Sequence, residues 1–88
     1  MSWKIVRSDS FIKDLKKISK LGNVLISLKK VFEKLQDNPL SLGKILSGPL
    51  HPARRIRIDN DYRLIYDVDK KNKTVYLLAI NRRKVIYK

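Results

Sequence analysis

The chain has no cysteine, one histidine, one tryptophan and only eight acidic residues among 88. The absence of cysteine excludes a disulfide scaffold, a thiolate metal centre and a cysteine nucleophile. A single histidine excludes a multi-histidine metal site and a two-histidine acid–base pair. The longest uninterrupted apolar run, Val75 to Ile80, is far short of the ~20 residues that span a bilayer. The N-terminal MSWKIVRSD has none of the apolar stretch of a signal peptide. A cytoplasmic protein with no membrane partner is therefore expected. Neither GxxxxGK[ST] nor GxGxxG occurs, so no nucleotide cofactor is implied. The acidic pairs Asp59/Asp61 and Asp67/Asp69 fall beside turns, where aspartate serves backbone conformation, and no metal site is read from them.

Against these absences stand 21 Lys and Arg and a formal net charge of +13. Such an excess points to a polyanion or an acidic protein partner. Its distribution is uneven: six of the seven arginines lie at or after Arg54, while lysines dominate the first half. Lysine suits a solvated face, whereas the planar guanidinium grips phosphate or carboxylate through two parallel hydrogen bonds. The length favours one domain, residues 1–88, which buries only ~60–65% of its unfolded surface and can gain stability from a partner.

Hydrophobic periodicity supplies the organisation. Trp3 and Ile5 alternate with Lys4 and Val6 as a short first strand. Ser8-Asp9-Ser10 offers a helix N-cap, and Phe11, Leu15 and Ile18 follow at helical spacing. After a break at Leu21-Gly22-Asn23, a second stripe runs through Val24, Leu28, Val31 and Leu35 to Asp37-Asn38-Pro39. The short break implies an antiparallel helical hairpin. Residues 39–53, punctuated by Pro39, Gly43, Gly48, Pro49 and Pro52, read as a loop whose leucines and isoleucine cover the core. His51 reads as an exposed loop residue, and Trp3 as packing. From Arg54 the period becomes two: RRIRI, then Tyr62–Val68, then Thr74–Asn81, separated by DND and DKKNK turns. The last run is apolar on both faces, as a central strand requires. The order strand, helix, helix, strand, strand, strand gives an α+β fold, a small curved antiparallel sheet with the hairpin on one face.

The chemistry concentrates in arginines. Arg55 and Arg57 share one face of their strand, and the following hairpin brings Arg63 alongside; Arg82-Arg83-Lys84 and Tyr87 close the chain. Convergence of these ends makes an anion-binding pocket, to be filled by phosphate or covered by an acidic partner, because such dense like charge is costly without an anion.

Three segments carry a resemblance: NPLSLGKILSG (38–48), RRIRIDNDYRLIYDVD (54–69) and INRRKVIY (80–87). Together they resemble the RelE/ParE toxin superfamily over nearly the whole chain. The resemblance implies a RelE-like fold and a toxin of a type II toxin–antitoxin pair. In the RelE branch the implied activity is endoribonuclease cleavage of mRNA in the ribosomal A site; the ParE branch inhibits DNA gyrase, and a member without activity would only bind its antitoxin. Position by position, Arg55 and Arg57 match strand lysines of the RelE-type pattern, and Arg63 the arginine of its YR segment. Arg83 matches the arginine near the end of the last strand, and Tyr87 a tyrosine that stacks on a substrate base. Arg82 falls where many relatives carry His or Lys.

The implied reaction is attack of a ribose 2′-OH on the adjacent phosphate, without metal or other cofactor. Arg57, Arg63 and Arg83, with Tyr87, then form the catalytic set, and Arg55, Arg82 and Lys84 contact RNA phosphates. Guanidinium stabilises phosphoryl charge well but cannot act as a base, so the proton-transfer residues are unassigned. The implied partners are the ribosome, mRNA and an acidic, RelB-like antitoxin that wraps the toxin.

Overall fold

The structure, a computed structural model, describes residues 2–82. The first apolar–polar alternation forms β1 (Lys4–Arg7). Ser8, still in extended backbone, then caps α1 (Asp9–Lys17): its Oγ accepts the Phe11 N–H at 3.1 Å and donates to the Leu78 carbonyl at 3.2 Å. Asp9 in the first turn and Lys16 and Lys17 in the last complement the helix dipole. The second stripe forms α2 (Gly22–Asp37), with Val24, Leu28, Val31 and Leu35 buried and Lys29, Lys30 and Glu33 exposed. Helix α2 thus starts on Gly22 itself, inside the expected break. Phe11 near the start of α1 meets Phe32 near the end of α2, ring centroids 6.2 Å apart, as an antiparallel hairpin requires.

Strands β3 (Arg54–Arg57), β4 (Tyr62–Asp69) and β5 (Thr74–Arg82) form an antiparallel meander, because their short turns allow nothing else. Two features depart from the expected sheet. First, it is mixed: β1 pairs with β5 in parallel, Lys4 opposite Thr74 through Arg7 opposite Leu77. A tight turn forces antiparallel neighbours, but β1 and β5 are separated by the whole chain and escape that constraint. Second, the supposed loop contains a two-residue strand, β2 (Lys44–Ile45), antiparallel to β3. The spatial order is β1-β5-β4-β3-β2, which makes β5 interior as expected.

A bulge decides which side chains reach the core. Ile65 faces Ala79 and Tyr66 faces Leu77, leaving Leu78 as an extra residue in β5. Val75, Leu77 and Ile80 are therefore all fully buried, although 77 and 80 break a period of two. They pack with Leu64 and Tyr66 against the helical stripes. Where β1 ends, α1 takes over the edge of β5: Asp14 Oδ2 accepts the Ile80 N–H at 3.2 Å. Trp3 is half-buried against the core, with Lys73 Nζ 5.6 Å from its ring centre, consistent with packing. Among the described residues no helix is long and apolar enough to cross a membrane.

Tyr66 ties the sheet to the irregular segment. It is fully buried, and its hydroxyl proton is shared between the carbonyls of Pro39 (3.0 Å) and Leu42 (2.8 Å). Burial pushes its pKa up to about 12, partly opposed by the charge of Arg54. The unfolded tyrosine therefore loses its proton at lower pH than the folded one, and the phenol's contribution to stability fades as pH rises from ~10 through ~12. Tyr66→Phe is expected to cost about 1–3 kcal/mol near neutrality, because the buried Pro39 carbonyl loses its donor and the Leu42 carbonyl keeps only Arg54 Nη1 at 3.4 Å. The same variant should lack the wild type's further loss of about 2 kcal/mol by pH 12. Urea unfolding of both proteins at pH 8 and pH 11.5 measures the difference.

Candidate phosphate-binding cleft

Residues opposite one another in an antiparallel ladder point to the same face. Arg57 lies opposite Arg63, Arg63 opposite Asn81, and Arg55 opposite both Ile65 of β4 and Lys44 of β2. Lys44, Arg55, Arg57 and Arg63 therefore share the sheet face turned away from the helices. They line an open cleft of ≈ 380 Å³ together with Gly43 and Ile56. Among the described residues lining it there are four cationic side chains and no acidic one.

The turn between β3 and β4 fixes two of the guanidiniums. Asp59 Oδ1 accepts the N–H groups of Asp61 and Tyr62, both at 2.9 Å, and the Ile58 N–H donates to the Tyr62 carbonyl at 3.0 Å. Onto this rigid turn Arg63, only 9% exposed, donates from Nη1 to the carbonyls of Asp59 (2.9 Å) and Tyr62 (3.0 Å). Arg57 is exposed and donates from Nε to the Asp59 carbonyl at 3.3 Å and from Nη2 to Asn60 Oδ1. These oxygen partners orient the Arg57 fork without cancelling its charge. Such an array holds a dianionic or monoanionic phosphoryl group well.

The sequence-predicted residues divide into three groups. Arg55, Arg57 and Arg63 come together. Arg82 sits opposite Tyr62, which turns it toward the helix side of the sheet. There it borders a groove with Lys20, Asn23, Asp59 and Asp61, and its Nε is 3.5 Å from the Tyr62 hydroxyl. That hydrogen bond raises the Arg82 pKa above its ordinary value. Arg83, Lys84 and Tyr87 lie outside the described residues. His51 is exposed and away from the cleft; its Nδ1 donates to the Leu46 carbonyl at 3.0 Å. Among the described residues no group of three or more His, Cys, Asp or Glu side chains comes together as a metal site.

A family profile described as the ParE toxin of the type II toxin–antitoxin system parDE matches residues 5–87. The chain belongs to the RelE/ParE toxin superfamily. This toxin is 35% identical over 80 residues to the RelE4 protein of Methanocaldococcus jannaschii, spanning 90% of this chain and 84% of that one. A metal-bound toxin from Helicobacter pylori superposes with a TM-score of 0.80 at 30% identity, covering 96% of this chain and 98% of the other. A chain of the RelBE2 toxin–antitoxin complex from Mycobacterium tuberculosis gives 0.76 at 25% identity, covering 94% and 100%.

Two cleft residues of this toxin, Gly43 and Lys44, were not legible as site residues. They stand within the GKIL run of the segment that carries the resemblance, but β2 is too short to show a period. Only the pairing of Lys44 with Arg55 assigns it to the cleft face.

Proposed function

We propose that this toxin is a ribosome-dependent endoribonuclease that cuts mRNA in the ribosomal A site and so stops translation. The observation that supports this reading is the cluster of Arg55, Arg57 and Arg63 around one open cleft, with Arg57 and Arg63 held by a rigid turn. The similarity to RelE4 over most of both chains supports it further. In the proposed reaction a ribose 2′-oxygen attacks the adjacent phosphorus, giving a 2′,3′-cyclic phosphate and a 5′-OH. Arg57 and Arg63 bind the phosphoryl oxygens and stabilise the charge that builds on them, a role a prearranged fork of donors performs without reorganisation. Arg55 holds a neighbouring phosphate. Arg83 and Tyr87, by the resemblance, add a further phosphoryl contact and a stacking surface for a base, and Lys84 a phosphate contact. Arg82, on the other face, is left out of the phosphoryl-binding set. The reaction as proposed uses no metal.

The same charge calls for an acidic, RelB-like antitoxin that masks the arginines and is drawn in by electrostatic attraction. The relative in the Mycobacterium tuberculosis toxin–antitoxin complex supports that partner. Primer extension on cellular mRNA after induction tests the reading: new 5′ ends are expected inside translated regions and not in an mRNA whose start codon is removed. Intact mRNA with blocked supercoiling would instead favour a gyrase inhibitor, the reading suggested by the ParE description of the matching profile. Intact mRNA, normal supercoiling and antitoxin binding together would mark an inactive, antitoxin-binding member.

A further inference from the structure

We propose that Asn81 sets the base preference of the cut, a specificity role that rests on the ribonuclease reading. Arg57, Arg63 and Asn81 form one row across β3, β4 and β5, on the face that carries the cleft. Neighbouring strands lie ~4.8 Å apart, so Asn81 stands one strand beyond Arg63 and two beyond Arg57. A phosphoryl group held by the two guanidiniums therefore brings an adjoining base over Asn81. Phosphate contacts position a nucleic acid, whereas hydrogen bonds to base edges discriminate sequence. The first two members of the row are cations suited to phosphate, and the third is a neutral amide suited to a base edge.

The backbone decides which end of that amide is on offer. Ile80 and Arg82, two apart on β5, turn their N–H groups to the same edge, which β1 leaves unpaired beyond Arg7. Asp14 Oδ2 accepts the Ile80 N–H at 3.2 Å, and Asn81 Oδ1 accepts the Arg82 N–H at 3.1 Å. A backbone N–H can only donate, so this contact commits the amide oxygen to the strand edge and leaves the NH₂ uncommitted. Among the described residues Nδ2 has no acceptor, and none of their side-chain nitrogens is both buried and unpaired, so Nδ2 is open to solvent. Asn81 is half-buried, which restricts its swing. Two donors on a single nitrogen fit a base edge with two adjacent acceptors: guanine N7 and O6, or cytosine N3 and O2. Adenine sets its N6 donor beside both N1 and N7, and uracil sets N3–H between its carbonyls. Guanine or cytosine is therefore favoured over adenine and uracil at one position of the codon.

The test is single-turnover cleavage by purified toxin on ribosomes programmed with mRNAs that carry each of the four bases at each A-site codon position in turn. At one position the wild type is expected to cut the guanine or the cytosine mRNA roughly 5–50-fold faster than the adenine and uracil ones. Putting 7-deazaguanine there removes N7, which should weaken a guanine preference and leave a cytosine preference intact. Asn81→Ala should bring the ratio to within about twofold of unity. Asn81→Asp keeps an oxygen for the Arg82 N–H but replaces the donor with an acceptor, and should reverse the ratio. A side chain that only capped the strand edge would slow all the mRNAs alike and leave the ratio unmoved. The proposal is overturned if the wild type shows no base preference or favours adenine or uracil. It is equally overturned if Asn81→Ala or Asn81→Asp keeps the wild-type ratio. Failure of folded wild type to cut any ribosome-bound mRNA would overturn the ribonuclease reading, and this assignment with it.

Discussion

Replacing Gly43 with alanine is expected to lower the melting temperature of this toxin by roughly 10–25 °C, from a loss of about 3 kcal/mol. Gly43 has φ 67, a backbone conformation that an L side chain adopts only at a cost. A Cβ there would also lie 2.6 Å from the Arg55 carbonyl oxygen and 2.9 Å from the Tyr66 hydroxyl. Neither neighbour can give way cheaply. The Arg55 backbone belongs to the β2–β3 ladder, and the Tyr66 hydroxyl is already committed to Pro39 and Leu42. For a small domain with about 5–15 kcal/mol in total, that loss is a large share. Gly48 is the internal comparison: its φ of 79 is also positive, but a Cβ added there meets nothing within 4 Å. Gly48→Ala should cost only the conformational part, about 1–2 kcal/mol. Melting curves of the two variants read the difference, and equal losses would mean that crowding at Gly43 is not the cause.

The second large effect is chemical. Arg57→Ala is expected to reduce ribosome-dependent mRNA cleavage ~10²–10³-fold, the loss typical of removing one prearranged donor from developing phosphoryl or oxyanion charge. Its melting temperature should stay near that of the wild type, because Arg57 is exposed and bonds only to oxygens of its own turn. Arg57→Lys should recover only part of the rate, since an ammonium keeps the charge without the planar fork. Arg63 is a less clean probe. It is buried and braces the carbonyls of Asp59 and Tyr62, so Arg63→Ala should lose stability as well as cleavage. Single-turnover rates together with melts separate the two behaviours. Loss of fold in Arg57→Ala would recast that residue as structural.

The elements that were legible in the sequence are those whose signal is local. The Ser8 cap, the two helical stripes and the alternation from Arg54 onward each arise from neighbours along the chain, and each appears where its pattern predicts. The parallel pairing of β1 with β5 has no such signal, because the two strands meet only through the completed fold. Strand β2 is two residues long, too short for any period, and so Lys44 stayed hidden in an apparent loop. Along the sequence Arg82, Arg83 and Lys84 read as one basic block. Strand side chains alternate, so consecutive residues cannot share a face, and the register that puts Asn81 opposite Arg63 turns Arg82 toward the helices. The Leu78 bulge sets how the buried half of β5 is in phase with that end of the strand. It was concealed because β5 is apolar on both faces.

In the proposed function the cationic cleft cuts RNA on the ribosome. The most direct measurement incubates purified toxin with a defined mRNA, free or held in a ribosome with an empty A site, and reads the ends of the products. One cut within the A-site codon is expected, with 2′,3′-cyclic phosphate and 5′-OH ends, far slower cleavage of the free mRNA, and loss of the cut in Arg57→Ala. An mRNA left whole on the ribosome by folded wild-type toxin, or cut equally by Arg57→Ala, would contradict it.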